Sequence, residues 1–443
     1  MGRMRIQTRA RIGVVFAATL VLGCAAGRER VVGRAMQAGD YDRAIRVLTI
    51  ATTEQPQDAR IWARLGEAQY YAGHDSDAVD ALNKALVLDD KLYGSYLFLG
   101  FVAEKLGNLD RALWYYQVYV DRKPNTAMAR DTQRRIAALK LQRAEAFAQD
   151  AIAKEKELSP AGYPDSTIGV VYFNADRLPD SLRPLAKGLA EMMVTDLSKV
   201  PKLQVVERLR IDRIIDELKL SSSAAFDSTT APRMGKLLGA ARVLGGDISS
   251  LPQNRLRMDP QLVSAKTGEV SMPGEQVGAL GKVMSMEKDM VFAVLKKMNI
   301  KLTAAERAAI AKIPTDSLEA FMAFSRGLDY QDRGEFDKAQ REFNRAHTID
   351  PSFTAAGQHS TESGYLSGSS ASATPQPLDQ FSAATSEDTE WQSETPNTDS
   401  RLNTLLENGG LIRGAGSPAS TDNPYTPPVS GQSSVIIDGR FDE

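Results

Sequence analysis

The sequence has almost no cysteine or histidine, and this scarcity excludes several classes of protein. Its single cysteine, Cys24, cannot form a disulfide within the chain. The three histidines, His74, His347 and His359, lie far apart and lack the spacing of metal ligands. We therefore expect no cysteine-rich zinc site, no metalloenzyme and no disulfide-bonded secreted scaffold.

The sequence also lacks an excess of positive charge. Lys and Arg number 54 against 56 Asp and Glu, which gives a net charge of -2, whereas a general nucleic-acid-binding protein carries a basic excess. Aromatic residues make up only 7% of the chain, but 42% of its residues are hydrophobic, which suffices for packed cores. The length of 443 residues suggests roughly three domains. We expect no nucleic-acid partner.

The N-terminus has the features of a bacterial export signal. An uncharged apolar run from Ile12 to Leu22 is about 11 residues long, shorter than the about 20 that a membrane span needs. The basic residues before this run are Arg3, Arg5, Arg9 and Arg11. The run ends in Val21-Leu22-Gly23-Cys24, which resembles the lipobox of bacterial lipoproteins, although Leu22 is bulkier than the residue usual there.

The resemblance implies that residues 1–23 are a signal peptide and that the Cys24 thiol is lipidated, with acyl chains such as palmitate. Several acyl chains hold a protein durably at a membrane, because each buried CH₂ contributes about 0.8 kcal/mol. Ala25 stands in place of the aspartate that retains many lipoproteins in the inner membrane. The family pattern thus implies an outer-membrane anchor facing the periplasm. The alternative is an ordinary signal peptide with an incidental cysteine.

Residues 24–125 repeat with a period of 34 residues. The repeated small residues are Gly39, Gly73 and Gly107 (73−39 and 107−73), then Ala44, Ala78 and Ala112. The large apolar residues that follow them are Leu48, Leu82 and Tyr116. This pattern resembles three tetratricopeptide repeats, helix-turn-helix units of about 34 residues that stack into an α-solenoid. Residues 126–160 are predicted to form a capping and spacer helix.

In such solenoids the first helix of each unit lines a concave surface that holds peptides or protein partners. The repeat offsets predict that this surface includes Arg60, Glu67, Tyr70, Tyr71, Leu97, Phe101 and Glu104. The alternative for several of these side chains is packing against a neighbouring helix.

Residues 161–300 change to alternating strands and amphipathic helices. A hairpin is predicted within Asn254–Met272, with Pro260 at an edge or bulge position. The order of elements resembles the periplasmic domain shared by curli-secretion lipoproteins, the TolB amino-terminal-like family and lipoprotein activators of penicillin-binding proteins. The segments that carry this resemblance are Gly169–Phe173, Leu203–Arg208, Gly235–Ala240, Val243–Ile248 and Ala265–Glu269.

That resemblance implies a small non-catalytic α/β domain that binds protein partners and often forms homo-oligomers at the outer membrane. The pore-forming branch inserts two long amphipathic hairpins, whereas only one short hairpin is predicted here, so we do not expect a self-sufficient pore.

Ser221–Ser223 have no histidine near them in sequence, and no phosphate-binding loop is present. Glu207 and Asp247 are expected to cap a helix or pair with an arginine rather than act as acid–base groups. We expect no enzyme and no cofactor.

Residues 301–357 are predicted to hold a helix and one further repeat, from Ala320 to Pro351. A lone repeat cannot bury both of its faces, so it must pack on the middle domain, on the first solenoid or on another protein.

Residues 358–443 are rich in Ser, Thr, Gly and Pro and are expected to be disordered. Within this tail, Ser434–Phe441 is strand-prone and is a candidate for addition to the sheet edge of a partner.

The sequence therefore predicts an α+β multidomain protein with an N-terminal α-solenoid, a small α/β domain, one further helical repeat and a disordered tail. The favoured function is a lipid-anchored periplasmic scaffold that binds other envelope proteins in envelope assembly or secretion at the outer membrane. Two alternatives stay open. One is a regulatory lipoprotein that activates a cell-wall synthase, and the other is an accessory subunit of an oligomeric curli-like secretion channel.

Overall fold

The structure, a computed structural model, describes residues 27–220, 226 and 230–367. These residues form two compact units that divide after Ile136. Cys24, Ser221–Ser223, and residues 368–443 with the strand-prone segment Ser434–Phe441 lie outside the described residues. The predicted fold class is confirmed, since helical repeats are followed by a mixed-sheet domain and then by further helices.

The first unit consists of helical hairpins in succession. Its helices are α1 (27–37), α2 (Tyr41–Glu54), α3 (Ala59–Tyr71), α4 (Asp75–Leu88), α5 (Tyr93–Lys105), α6 (Leu109–Arg122) and the first part of α7 (Ala127–Ala153). Gly39, Gly73 and Gly107 end the first helix of each pair with φ of +71°, +80° and +76°. Glycine adopts this left-handed backbone without the steric cost that a side chain adds.

Small residues allow the two helices of a repeat to approach closely. A Cβ atom on Gly66 would lie 2.5 Å from Cγ of Leu82, and one on Gly100 would lie 2.3 Å from Cε1 of Tyr116. Ala78 is fully buried. The predicted crossing points of the repeats are therefore the points at which the helices touch.

Helix α7 is more than a spacer. Its predicted span was 126–160, but the helix ends at Ala153, and a turn leads from there towards Pro160. Within the second unit, Ala148 and Ala151 belong to the main hydrophobic core. Arg143 places its guanidinium 2.6 Å from a carboxylate oxygen of Glu207. The second half of the helix is thus an integral part of the α/β domain.

A mixed sheet forms the centre of the second unit. Its strands are β1 (Thr167–Val170), β2 (Asn174–Arg177), β3 (Gln204–Val205), β4 (Arg242–Leu251), β5 (Arg255–Ser264), β6 (Val270–Ser271) and β7 (Gln276–Ala279). The strand order is β3-β1-β4-β5-β6, with β2 also paired to β4 and β7 also paired to β5. The pairs β3–β1 and β1–β4 are parallel, and β4–β5 is antiparallel.

The prediction of a single hairpin within Asn254–Met272 was wrong in extent. Strand β5 does pair with β6, with Val263 opposite Val270, but it also pairs with β4 over ten residue pairs. The full length of β4 was not predicted, because Gly245, Gly246 and Asp247 interrupt the apolar pattern that indicates a strand. Pro260 lies between the stretches of β5 that pair with β6 and β7, where its missing N–H breaks no ladder bond on that side.

Helices cover this sheet and then continue the chain. They are α8 (Leu185–Leu197), α9 (Arg208–Glu217), α10 (Thr230–Leu238), α11 (Val283–Lys297), α12 (Ala304–Ala311), α13 (Leu318–Asp332), α14 (Phe336–Ile349) and α15 (Thr354–Ser367). In the described part of the chain, no helix combines the length and the apolarity that crossing a membrane requires.

The downstream repeat packs on the middle domain, which decides between the three locations left open by the sequence. Helix α13 lies against α8, where a Cβ atom on Gly188 would come within 2.1 Å of Oγ of Ser325 and 2.9 Å of Cζ of Phe321. Phe343 and Phe353 belong to the same hydrophobic core as the sheet. The repeat therefore completes the core of the α/β domain rather than standing alone.

The expectation that disorder begins at residue 358 was wrong for residues 358–367, which belong to α15. The composition predicted disorder, but the small polar residues of this segment pack between helices. Ser360 is buried and donates to Oδ1 of Asn344 at 2.7 Å. The His359 ring lies with its centroid 5.1 Å from that of Phe343. The described helix thus caps the downstream repeat.

Candidate protein-binding surface

Aromatic side chains from α2, α3 and α5 meet in one cluster. The Tyr70 ring centroid on α3 lies 5.6 Å from that of Phe98 and 5.7 Å from that of Phe101, both on α5. Tyr71 stacks on Tyr41 with centroids 5.3 Å apart. Such pairs contribute about 0.5–1.5 kcal/mol each beyond the area that they bury. We call Tyr41, Tyr70, Tyr71, Phe98 and Phe101 the aromatic cluster.

A buried ion pair lies next to the aromatic cluster. Arg135 on α7 donates from Nε and from a terminal nitrogen to the two oxygens of Glu104, at 2.7 and 2.6 Å. Tyr116 donates its hydroxyl to the same carboxylate at 2.8 Å. Burial and the Glu104 charge raise the pKa of Tyr116 well above its ordinary value, so this donor stays protonated. Two bonds to one carboxylate fix the orientation of both side chains.

The predicted concave-surface residues differ in their exposure. Glu67, Tyr70, Leu97 and Phe101 are buried, Tyr71 and Glu104 are half-buried, and Arg60 is exposed. Arg60 lies in the first turn of α3, where its backbone N–H donates to Asp58 at 2.9 Å. Tyr70, Tyr71 and Phe101 come together in the aromatic cluster. Their role in binding a partner remains a prediction.

Sequence reasoning missed Phe98 and Arg135, although the repeat period pointed to Arg135. Glu67, Phe101 and Arg135 are 34 residues apart (101−67 and 135−101), so they occupy the same repeat position. Phe98 follows Leu97 on α5, a helix on which Ser95 through Ala103 are all buried. Such a helix is apolar around its whole circumference, and helical periodicity does not then indicate one face.

A buried network of charges joins α8, α9 and α13 within the second unit. Arg208 lies at its centre, with its guanidinium 2.8 Å from Oδ2 of Asp212 and 2.8 Å from Oε2 of Glu191, and it also pairs with Asp332. Lys187 lies 2.8 Å from Oδ2 of Asp332. Because Asp332 belongs to the downstream repeat, these pairs hold that repeat in its orientation on the α/β domain.

Two of the three carboxyl groups of this network have pKa values that are shifted in opposite directions. Burial raises the pKa of Asp212 to about 7, even though the Arg208 cation opposes the shift. Burial also acts to raise the pKa of Asp332, but Arg208 and Lys187 outweigh it and lower that pKa to about 2. The Tyr172 hydroxyl lies between these carboxyl groups and pairs with both.

A further buried carboxyl group lies between α8 and α11. Glu287 is 0% exposed, and its Oε2 lies 2.8 Å from Nζ of Lys288, which also pairs with Asp196. Burial, together with the negative charge of Asp196, raises the pKa of Glu287 to about 8. The folded state therefore keeps a proton that the unfolded chain releases near pH 4.5.

This difference predicts a pH-dependent stability. The free energy of unfolding falls as the pH rises from about 5 to about 8, because the unfolded state binds fewer protons than the folded state in this range. Glu287→Gln makes the slope shallower but leaves the contributions of Asp212 and Asp216, whose pKa values are also raised by burial. Urea unfolding at several pH values measures the effect. Asp289→Asn, on the exposed side of the same helix, is the control, and an unchanged slope in Glu287→Gln would contradict the assignment.

The two carboxylates considered as acid–base candidates have structural partners. Glu207 is the N-cap residue of α9 and pairs with Arg143. Asp247 in β4 accepts from the side-chain amide of Asn174 at 3.2 Å. Over the described ranges, no group of three or more His, Cys, Asp or Glu side chains is placed to hold a metal ion.

The geometry defines a chain in which helical repeats, a repeat type that generally mediates protein–protein binding, precede a mixed α/β domain. Two family models match these parts. Residues 34–92 match the tetratricopeptide repeat, and residues 155–260 match the curli production assembly/transport component CsgG. Both resemblances expected from the sequence are thereby confirmed. No curated protein matches the chain.

Solved structures give weak similarities. The LpoB C-terminal domain from Salmonella enterica is 18% identical, covers 30% of this chain and 94% of its own, and has a TM-score of 0.22. A tetratricopeptide repeat protein from Parabacteroides merdae is 14% identical over 76% of this chain and 98% of its own, with a TM-score of 0.24. The TPR2AB domain of yeast Sti1, in complex with pHSP90, is 14% identical over 78% and 99%, with a TM-score of 0.26. TM-scores of this size establish no shared function.

Proposed function

We propose that this protein is a lipid-anchored periplasmic scaffold that holds protein partners together in envelope assembly or secretion at the outer membrane. The observation that carries the proposal is the presence in one chain of a tetratricopeptide match over residues 34–92 and a CsgG match over residues 155–260. The first is a protein-binding repeat, and the second is named for an assembly and transport component. The scaffold has no catalytic role.

Two features of the repeats support their part in this role. The aromatic cluster packs rings from three helices together, which fixes the half-buried Tyr41 and Tyr71, and aromatic residues are enriched among the side chains that dominate protein interfaces. The buried pair of Glu104 and Arg135 fixes the third repeat against the capping helix. A surface that is already ordered loses less side-chain entropy when a partner binds.

Purification of the lipidated protein in a mild detergent tests the scaffold role. We expect at least one envelope protein to co-purify in a constant ratio across independent preparations. A clean monomer without a partner would contradict the proposal.

The anchor rests on Cys24 at the end of the apolar run. We expect Cys24→Ser to move the protein from the membrane fraction to the soluble fraction, because acyl chains supply the membrane affinity. The measurement is cell fractionation followed by immunoblotting. Ala25→Asp is the matched control, since it keeps the lipid and should move the protein to the inner membrane. If Cys24→Ser stays with the outer membrane, lipidation is not the anchor.

A second candidate function, favoured by the CsgG match, is an accessory subunit of an oligomeric secretion channel with self-association through the middle domain. Native mass spectrometry of the detergent-extracted protein separates the two functions. A ring of many identical subunits would favour the channel, and a mixed complex of low copy number would favour the scaffold.

A further inference from the structure

The second unit contains a cavity of about 560 Å³ at the end of α11. Its lining includes the half-buried apolar side chains of Phe292, Ile300 and Leu302, which we call the floor, and the exposed cations Lys296 and Lys301, which we call the rim. Arg307 on α12 supplies a third cation, with its guanidinium 5.0 Å from the ring centroid of Phe292. The lining of the cavity thus combines apolar and positively charged side chains.

The charges of this rim are poorly compensated by the rest of the fold. Lys296, Lys301 and Arg307 are exposed, and none of the three forms an ion pair within residues 27–220 and 230–367. Residues 296–312 carry five Lys and Arg but only one carboxylate, Glu306. That carboxylate accepts from the backbone N–H of Thr303 at 2.6 Å as part of the helix cap. An acidic ligand would therefore meet unpaired cations.

The chemistry of the cavity fits an acidic peptide that carries an aromatic side chain. Carboxylates form charge-assisted hydrogen bonds with Lys and Arg. An aromatic ring gains from burial against Phe292 and from stacking on the Arg307 guanidinium. A purely anionic ligand would leave the apolar floor unused.

The chain itself contains such a peptide, beyond the described residues. Residues 368–443 hold eleven Asp and Glu against three Arg and no Lys. The acidic residues are concentrated in the segment 379–399, which has no basic residue. This acidic segment contains Asp379, Phe381, Glu387, Asp388, Glu390, Trp391, Glu394 and Asp399.

The connection is long enough for this contact. Glu387 comes 20 positions after Ser367, the end of α15 (387−367), and this stretch spans at most about 70 Å when extended. A globular body of the size of the second unit has a diameter on the order of 45 Å. A covalent tether of this length gives an effective concentration in the millimolar range, so even a weak contact is populated.

We propose that the acidic segment 379–399 binds in the basic cavity of its own chain. Trp391 packs on the floor against Phe292, and the carboxylates of Glu387, Glu390 and Glu394 pair with the rim cations. The contact goes beyond the scaffold function. The tail of the chain would occupy the basic cavity of the α/β domain, and an acidic partner would have to displace the tail in order to bind there.

Fluorine NMR on the full chain tests the proposal. The chain carries Cys24→Ser and Ala311→Cys, with a nitroxide on the new cysteine, and its tryptophans are labelled with fluorine. Ala311 is four residues after Arg307 and lies on the same face of α12. The Trp391→Phe variant assigns the resonance of Trp391 among the three tryptophans of the chain. We expect the nitroxide to remove more than half of the Trp391 intensity.

Charge reversal supplies the matched comparison. The pair Lys301→Glu and Arg307→Glu should restore the Trp391 intensity, as should high salt, which screens the ion pairs. The control pair Lys266→Glu and Arg341→Glu changes two exposed cations outside the cavity and should leave the broadening unchanged. A Trp391 resonance that the nitroxide does not broaden would overturn the proposal. So would broadening that occurs only between separately labelled chains, because the occupant would then be a second copy.

Discussion

Replacing Arg208 with alanine is expected to lower the free energy of unfolding of the second unit by about 3–5 kcal/mol, the usual cost of removing one partner from a buried ion pair. Arg208 is 7% exposed and compensates Glu191, Asp212 and Asp332 at the same time. Without it, three carboxylates share a site in which Lys187 is the nearby cation. The measurement is the urea unfolding of the purified variant.

The same helix provides a matched control. Arg213 on α9 pairs with Asp216 at 3.2 Å, but the Asp216 side chain is 54% exposed. Exposed pairs of this kind contribute about 0–1 kcal/mol, so Arg213→Ala should change the stability little. Hydrogen exchange should show that Arg208→Ala loosens α13 before the sheet, because Asp332 loses its main partner. Equal effects of the two substitutions would contradict the assigned role of Arg208.

The second large effect is expected at the crossing of the third repeat. Gly100→Ala should destabilise the first unit by about 1–3 kcal/mol, the range found for overpacked cores. The added methyl group would lie 2.3 Å from the Tyr116 ring. That ring cannot move away easily, because its hydroxyl donates to Glu104, which in turn holds Arg135. Thermal unfolding of the unsubstituted protein and of Gly100→Ala measures the difference in stability.

Gly33→Ala on α1 is the matched substitution with the opposite expected sign. No atom lies within 4 Å of the Cβ position of Gly33, and alanine favours a helix over glycine by about 0.5–1 kcal/mol. The same chemical change should therefore stabilise the unit at position 33 and destabilise it at position 100. Loss of stability at both positions would show that helix crossing is not the cause.

The repeats could be predicted well from the sequence because their geometry depends on local residues. The glycines at positions 39, 73 and 107 adopt the left-handed turn that the 34-residue spacing implies. Gly66 and Gly100, which are also 34 residues apart, lie where the two helices of a repeat cross and leave no room for a side chain. Periodicity reports such local requirements directly, since every repeat must meet them again.

Contacts between distant segments could not be predicted in this way. Arg208 and Asp332 are 124 residues apart, and neither neighbouring sequence indicates the other. The pairing of β4 with β5 was missed because glycine and aspartate interrupt the apolar pattern of β4. Helix α15 was missed because its serines pack against other helices, a role that composition does not reveal. The burial of Leu97 and Phe101 likewise depends on packing that their spacing leaves undecided.

Site-specific photo-crosslinking in living cells tests most directly whether the repeats bind a partner. A benzophenone amino acid is placed at Arg60, the exposed residue of the predicted surface, and, as the control, at Val87 on the second helix of the same repeat, which is 57% exposed. We expect a discrete higher-mass adduct with an envelope protein from position 60 and none from position 87. If position 60 gives no adduct, or position 87 gives the same one, the repeats do not hold a partner on the proposed surface.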